Sequence, residues 1–415
     1  MKKVYDKCCG IDVHKKLIVA CFIHGKEQEI REFGATTREL LELADWLTQG
    51  GCEMVAMEST ASYWKPLYNI LESCELSAMV VNARHMKAVP GRKTDVKDAE
   101  WIADLLQHGL LQASYIPNKA QRELRELVGY RKSLVADRTR ELNRLQKMLE
   151  GANIKLSGTV AEINGMSARI ILNELLDGKT IDKARLEEMK KQKIIAHNLR
   201  ASFDQIADDL NGVMSPLQNK MMRELLKHID ELNVHIKNLD DDIDNHMNND
   251  EKKAVEAITA IGGIAESSAK AIISVIGTDM NRFPTDAHIS SWAGLCPGNN
   301  ESAKKRYSGK TNKGNNLLRT TLIICAHAAV KMKGTYFSAQ FKRISAHRGK
   351  KRAYVAVAHS MLIAIYHILK DGVKYRDLGA EYYNQFNKER KINAYLKKLK
   401  ELGWVDPNAM VEQPA

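Results

Sequence analysis

The sequence predicts an α/β domain with a mixed β-sheet, followed by a mostly helical remainder. Three observations carry this prediction. Strand-like and helix-like runs alternate over about the first hundred residues, a long charged helix with a coiled-coil period follows, and nearly every patterned segment beyond it is helical. At 415 residues, the chain is long enough for two or three domains that each bury a core.

The N-terminal region begins with three strand-like runs that are separated by short polar turns. Such short connections favour an antiparallel meander. Amphipathic helices and short apolar strands then alternate. The strands are expected at 4–13, 17–23, 27–33, 52–57 and 76–81, and the helices at 37–49, 63–72 and from Asp95 onwards. A meander followed by βαβ units predicts a mixed sheet.

The middle of the chain predicts long helices. Over residues 118–150, positions from Leu124 to Leu149 recur at alternating spacings of four and three, with Arg131 and Arg138 in the same seam. This is a coiled-coil period, which we interpret as serving packing or oligomerisation rather than chemistry. A second helical stretch, 203–247, is interrupted at Ser215-Pro216, where proline suits the first turn of a new helix.

Residues 254–277 predict two helices joined by a Gly262-Gly263 turn, similar to a helix-hairpin-helix element that grips phosphate through backbone N–H groups. Ala265 stands where a second hairpin glycine is usual, and a plain helical hairpin is the alternative. A stretch rich in Gly, Asn and Lys follows at 297–316, and helical patterns continue to Lys370. The polar tail from Asp371 is expected to be peripheral.

The charge of the chain is unevenly distributed. Lys and Arg total 63 against 51 Asp and Glu, a net charge of +12. Residues 302–370 contain 15 Lys or Arg and no Asp or Glu, so the rest of the chain has 48 basic and 51 acidic residues, a net charge of −3. A solvated basic face is the simplest interpretation, but such a long acid-free stretch favours binding to a polyanion, most commonly nucleic acid.

The cysteines and the apolar segments indicate the compartment. Seven cysteines without Cys-x-x-Cys spacing predict buried thiols in a reducing environment rather than disulfides or a zinc site. The N-terminus lacks the apolar region of a signal peptide. The longest apolar stretch, 353–369, is shorter than a bilayer span, and we interpret it as a core helix. We therefore expect a cytoplasmic protein with no membrane partner.

Four carboxylates are placed where they suit a metal site. Asp12 lies within the first strand, Glu58 ends the fourth strand, and Asp95 and Asp98 lie three apart on one face of a helix start. A carboxylate against an apolar strand is costly without a compensating cation or donor, and hard oxygen ligands suit Mg²⁺ or Mn²⁺. Two such ions can clamp both reacting oxygens of a phosphodiester.

Each carboxylate also has an ordinary alternative. Asp12 can pair with Lys15 or Lys16, and the other three can serve as helix caps. Their joint order along the chain is nevertheless the one that an RNase H-like fold brings together. We therefore favour a shared metal site.

Six segments resemble the signature blocks of one family, the transposases of the insertion-sequence family numbered one-ten. Three are N-terminal: GIDVHK at 10–15, ESTASYW at 58–64 and KTDVKDA at 93–99. Three are C-terminal: ITAIGGI at 258–264, SWAGLCP at 291–297, and SGKTNKG at 308–314, which is followed by LLR at 317–319. The resemblance covers about residues 4–149 and 254–333.

The resemblance implies a RuvC-like domain in which Asp12, Glu58, Asp95 and Asp98 form the metal-binding DEDD set, with Mg²⁺ or alternatively Mn²⁺ as the cofactor. It also implies a second domain with a nucleophilic serine. The spacing of the family's serine from its proline and glycine identifies this residue as Ser302. The next residue is usually glycine in the family, whereas Ala303 stands here.

In the resembling family, the serine forms a covalent phosphoserine link with DNA while the metals activate the scissile phosphate. The two parts come from different protomers of an oligomer, a dimer or a tetramer, and a structured bridge RNA pairs with target and donor DNA. Such a protein grips backbone and shape rather than sequence. The expected nucleic-acid contacts are Lys304, Lys305, Arg306, Lys310, Lys313 and Arg319.

The sequence thus predicts a RuvC-like catalytic domain at 1–115, a coiled-coil and helical linker region at 116–250, a serine transposase domain at 251–370 and a polar tail at 371–415. The predicted function is RNA-guided, serine-dependent recombination that excises and inserts a mobile element. One alternative is a metal-only junction nuclease in which Ser302 is structural. The other is a non-catalytic DNA-binding protein.

Overall fold

A computed structural model describes residues 3–82, 95–160, 162–195, 201–298, 300–302, 305–385 and 388–404. The chain divides into two units, Met1–Asn118 and Lys119–Ala415. The first unit contains a five-stranded sheet built from β1 (Lys7–Val13), β2 (Leu17–His24), β3 (Glu27–Gly34), β4 (Met54–Glu58) and β5 (Ala78–Val81). The strand order is β3-β2-β1-β4-β5.

The sheet is mixed, as the sequence predicts. The strands β1, β2 and β3 form an antiparallel meander, whereas β4 runs parallel to β1 and β5 parallel to β4. Central strand β1 is buried along nearly its whole length, which explains its continuous apolar run.

Three helices cover the two faces of this sheet: α1 (Thr37–Gln49), α2 (Trp64–Ser73) and α3 (Asp95–Gln107). Side chains alternate between the faces, so Cys9, Ile11 and Val13 of β1 share a core with α1 and α2. The opposite residue set, which includes Cys8 and Ala56, packs with Ile102 and Leu106 of α3. The face of β1 that carries even-numbered residues is therefore the face under α3.

The second unit is built around two long helices, α4 (Lys119–Gly151) and a later helix, α9 (Pro216–His246). They run antiparallel: Arg131 forms a bidentate ion pair with Asp240, and Arg138 donates to Asn233 at 2.9 Å. The seam arginines of the predicted coiled coil thus have polar partners within the chain. Ser215 and Gln218 form a capping box at the start of α9 with Pro216 in the first turn, as expected.

The region between α4 and α9 has a hydrophobic core of its own. Four short helices fill it: α5 (Leu156–Thr159), α6 (Met166–Leu176), α7 (Lys183–Lys191) and α8 (Phe203–Leu210). They pack against Leu145 and Leu149 near the end of α4 and against Met222 and Ile229 of α9. These residues therefore form a packed helical layer, where the sequence indicated a linker region.

The largest core of the second unit involves the C-terminal helices. They are α10 (Asn249–Thr259), α11 (Glu266–Ile276), α12 (Asp286–Trp292), α13 (Asn316–Ala329), α14 (Tyr336–Arg348) and α15 (Lys350–Asp371), with a hairpin of β6 (Asn300–Ser302) and β7 (Lys305–Ser308) before α13. At the predicted hairpin turn, Gly263 adopts φ 94°, and a Cβ there would lie 2.6 Å from the backbone nitrogen of Ala329. Packing against α13 therefore explains this glycine, which favours the plain helical hairpin.

Of two C-terminal segments, one agrees with the expectation of a core helix and the other differs from the expected peripheral tail. Helix α15 is long and apolar enough, by length and composition, to cross a membrane, with a mean hydropathy of 1.4, but eight of its residues are buried, and seven of these belong to the main core. Part of the predicted polar tail also packs: Tyr382 and Tyr383, in α16 (Tyr382–Gln385), contact the ring of Tyr336. The last described helix is α17 (Lys388–Glu401).

Candidate active site

The first candidate residue, Asp12, is a buried carboxylate on the central strand. It is 4% exposed, and its Oδ2 lies 3.0 Å from Nε2 of His14. Such burial is rare for an ionised group and requires hydrogen bonds or a cation nearby. The sequence indicated Lys15 or Lys16 as an alternative partner and missed His14, although the two-residue period of a strand places Asp12 and His14 on one face.

Glu58 lies beside Asp12 in the register of the sheet. The last paired residues of the parallel β1–β4 ladder are Ile11 and Met57, and Asp12 and Glu58 follow them directly. Opposite residues in a ladder project to the same face. Glu58 is not the N-cap residue of α2: that position is occupied by Tyr63, which makes no side-chain capping bond. The loop between Glu58 and α2 contains Ala61 in a left-handed conformation, with φ 47°.

Helix α3 crosses the same face at very short range. A Cβ on Gly10 would lie 2.2 Å from the backbone nitrogen of Ala103 and 2.5 Å from the carbonyl oxygen of Ala99. Cys8 lies against the Ala103 carbonyl as well. Along β1, the order Cys8, Gly10, Asp12 therefore runs towards the N-terminal end of α3. The other two predicted carboxylates, Asp95 and Asp98, lie at that end.

Asp95 is the first residue of α3, and its side chain lies outside the described part of the structure. Asp98, one turn later, is half-buried. Within the described residues, no three His, Cys, Asp or Glu side chains lie close enough to form a metal-binding group. The backbone contact nearest to the start of α3 is that of Gly10 with Ala99, which lies four residues after Asp95. The carboxylate oxygens of the predicted set are donors that suit a hard divalent cation.

Ser302 is the last residue of β6, in a two-stranded hairpin within the stretch rich in Gly, Asn and Lys. Ala303 and Lys304 lie outside the described residues, as do the side chains of Ser302, Lys305 and Arg306. The hairpin is closed at its base by a bridge between Pro297 and Thr311 and by a hydrogen bond of 2.8 Å from the Gly298 N–H to the Lys310 carbonyl.

Two glycines allow the base of this hairpin to close tightly. A Cβ on Gly294, where φ is 70°, would lie 2.7 Å from the nitrogen of Gly314, and a Cβ on Gly314 would lie 2.3 Å from the nitrogen of Gly294. Side chains at either position would force the two segments apart. Gly294 belongs to the SWAGLCP block and Gly314 to the SGKTNKG block. Their structural role is to let the two backbone segments cross in close contact.

Arg319, on helix α13, donates hydrogen bonds to the backbone at this crossing. Its Nη1 donates to the carbonyl oxygens of Gly294, at 2.9 Å, and of Asn312, at 3.4 Å. The sequence predicted Arg319 as a nucleic-acid contact, whereas the structure gives it two backbone acceptors inside its own unit. Lys310 and Lys313, from the same predicted set, are exposed. No local sequence pattern predicts the hydrogen bond between Arg319 and Gly294, because the two residues are 25 positions apart in the chain.

Comparison with known proteins agrees with the two sets of motifs. A DEDD transposase model matches residues 9–154, and a model for the transposase IS116/IS110/IS902 family matches residues 255–342. The transposase for insertion sequence element IS1111A of Coxiella burnetii is 22% identical over 389 residues, which cover 89% of this chain and 91% of that protein. An uncharacterized 43.6 kDa protein of insertion element IS110 from Streptomyces coelicolor is 25% identical over 303 residues, which cover 69% and 73%.

Among solved structures, T. thermophilus RuvC in complex with a Holliday junction substrate aligns with 10% identity, covering 26% of this chain and all of that chain, with a TM-score of 0.21. A score of this size carries no argument about function. The two family models span more than half of the chain in the order of the six motifs, and the chain belongs to the IS110 family of insertion-sequence transposases.

Proposed function

We propose that this transposase cuts and rejoins DNA through a metal site formed by Asp12, Glu58, Asp95 and Asp98 and through a serine nucleophile, Ser302. The observation that carries the metal site is the buried Asp12, which is next in register to Glu58 on the face under α3. The serine rests on the family motifs around it and on the tightly closed base of its hairpin.

The metal site would take Mg²⁺, or alternatively Mn²⁺, because carboxylate oxygens suit both ions. A bound divalent cation neutralises charge on the scissile phosphate and stabilises the reacting oxygens. Asp12, hydrogen-bonded to His14, would supply a ligand on the central strand of the sheet. Glu58 and Asp98 would complete the site from β4 and α3, together with Asp95.

The serine step transfers a phosphoryl group. The Ser302 hydroxyl loses its proton as its oxygen forms a bond to phosphorus, one P–O bond of the DNA backbone breaks, and the leaving sugar oxygen takes up a proton. The neighbouring cations Lys304, Lys305 and Arg306 would stabilise the added negative charge. Reversal by a second DNA hydroxyl releases the serine and rejoins the strand.

We further propose that a structured guide RNA selects the DNA sites, that the protein acts as a dimer or tetramer, and that it works in the cytoplasm. Lys310 and Lys313 would contact nucleic-acid backbone, since both are exposed in an acid-free stretch. Sequence reading by base pairing suits a protein whose charged surface is rich in lysine. A metal-only junction nuclease is the second candidate.

Trapping the covalent intermediate tests the proposal. Wild-type protein is incubated with labelled element-end DNA and Mg²⁺ and then separated under denaturing conditions, and the labelled peptide is identified by mass. We expect label on Ser302, no adduct for Ser302→Ala, and an unchanged yield for Ser308→Ala, the matched serine of β7. Label on Ser308 or Tyr307 would refute the assignment, and cleaved DNA without any adduct would favour the nuclease.

A further inference from the structure

An exposed cationic surface lies at the corner between α14 and α15, far along the chain from Ser302. We call it the basic corner and define it as residues 347–352. Gly349 turns the chain there with φ 79°, between the end of α14 and the start of α15. All its side chains are exposed, namely His347, Arg348, Lys350, Lys351 and Arg352. Four permanent positive charges therefore project from six consecutive residues.

These charges have no acidic counterpart nearby in sequence, since no Asp or Glu occurs between residues 302 and 370. The ion pairs found in the described residues do not include Arg348, Lys350, Lys351 or Arg352. Elsewhere in the same unit, cations of the long helices are paired, as Arg131 is with Asp240. The basic corner is thus a surface whose positive charge is left uncompensated.

The position of three of these cations opposes the stability of their helix. Lys350, Lys351 and Arg352 occupy the first turn of α15, which has no acidic residue. The N-terminal end of a helix carries partial positive charge, so cations there are unfavourable and anions favourable. An external anion would remove this repulsion, whereas local packing offers no reason for three such residues.

We propose that the basic corner binds the sugar-phosphate backbone of duplex DNA, independently of sequence; this inference rests on the proposed function as a DNA recombinase. Phosphate contacts require charge alone, whereas single strands are bound through free aromatic rings as well. The nearest aromatic residue along α15, Tyr354, already stacks on His327 at 3.5 Å and contacts Phe341 at 4.5 Å. The corner therefore suits a backbone better than exposed bases.

The test replaces Lys350, Lys351 and Arg352 together with Ala and measures duplex DNA binding as a function of salt, in EDTA so that no cleavage occurs. Each lost phosphate contact lowers the slope of log K against log salt by about 0.9, so we expect a decrease of about 3 for the triple variant. The matched control is Lys220→Ala, Lys227→Ala and Lys237→Ala, three exposed lysines of α9, which should leave the slope unchanged.

The same variant should melt at or above the wild-type temperature, because alanine favours helices and the unfavourable cations are gone. Weaker DNA binding by a protein of undiminished stability supports the proposal. The proposal is overturned if the salt slope for duplex DNA is unchanged, or if the slope decreases for duplex RNA only. Adduct formation is measured in a separate experiment. If the wild-type protein forms no adduct, the serine mechanism is contradicted, but the salt slope still tests whether the basic corner binds DNA.

Discussion

At the scale of single residues, the candidate metal site depends on a glycine as much as on its carboxylates. Gly10 lets the backbone of α3 lie directly on β1, and this contact sets where the first turn of α3, with Asp95 and Asp98, lies relative to Asp12. A closely approaching backbone leaves no volume for even a methyl group. The site geometry is therefore built into the packing of one strand against one helix.

Gly10→Ala should therefore destabilise the first unit and weaken its metal site. The new methyl group must displace α3 backbone, and overpacking of this kind costs about 1–3 kcal/mol. Chemical denaturation measures the free energy of unfolding, and Mg²⁺ titration measures the binding. Gly129→Ala is the control: it lies within α4 with nothing within 4 Å of an added Cβ and should stabilise by about 1 kcal/mol. Equal effects of both substitutions would contradict this role of Gly10.

Asp12→Asn should remove the response of the protein to Mg²⁺. A ligand that binds only the folded state raises the melting temperature, and the substitution keeps the size of the side chain while removing its charge. Thermal melts of both proteins with and without Mg²⁺ provide the measurement. We expect an upward shift in wild type and none in the variant. If both proteins shift by the same amount, the metal site does not include Asp12.

At the scale of elements, the hairpin that carries Ser302 is held by its base. The Pro297–Thr311 bridge, the crossing of Gly294 with Gly314 and the guanidinium of Arg319 all lie at one end of the hairpin. A hydrogen bond from a charged donor contributes about 1.5–3 kcal/mol when its loss leaves the acceptor unpaired. Arg319 therefore acts, in our interpretation, by positioning the serine hairpin.

Arg319→Ala should accordingly reduce adduct formation without changing the salt dependence of DNA binding. Lys313 lies in the same segment but is exposed. Lys313→Ala should leave adduct formation unchanged and lower the slope of log K against log salt for duplex DNA by about 0.9. Comparing adduct yield and binding slope for the two variants separates positioning from phosphate contact. A lowered slope for Arg319→Ala would return this residue to the nucleic-acid contacts that the sequence predicted.

At the scale of the whole molecule, the seven cysteines share one chemical state, the free thiol. All are free, and Cys8, Cys9, Cys21 and Cys325 are buried. Burial, with a smaller contribution from Glu53, raises the pKa of Cys8 to about 11, and burial raises the pKa of Cys21 to about 12. Because the thiolate is the reactive form, these thiols are shielded both by packing and by protonation.

Thiol labelling should therefore distinguish the folded from the unfolded chain. With Ellman's reagent at pH 8, we expect no rapid reaction of the four buried cysteines in the native protein, and reaction of all seven in guanidinium chloride without reductant. Burial also raises the pKa of the half-buried Cys52 to about 12, so Cys52 should react slowly as well. Rapid native labelling of three or more thiols, or of fewer than seven after denaturation, would contradict this description.

The sequence by itself determined the strands and helices of the first unit and the long helices of the second unit, but not the β6–β7 hairpin or the short helices between α4 and α9. Helix α1 begins and ends where its amphipathic pattern predicts, the three-stranded meander was confirmed, and the placement of Asp12 and Glu58 on β1 and β4 follows from the apolar runs of these two strands. These features depend on neighbouring residues, so local patterns record them. The family motifs likewise lie within short segments.

Only the tertiary structure decided which segments meet. The heptad seam of α4 finds its partner in α9, where Arg131 pairs with Asp240 across 109 positions, and Gly263 is required by Ala329 of α13. Arg319 donates to the carbonyl oxygens of Gly294 and Asn312, a contact that depends on the tertiary structure for the same reason. Partner choice is set by the free energy of contacts between residues far apart in the chain, and no periodicity within a single segment contains that information.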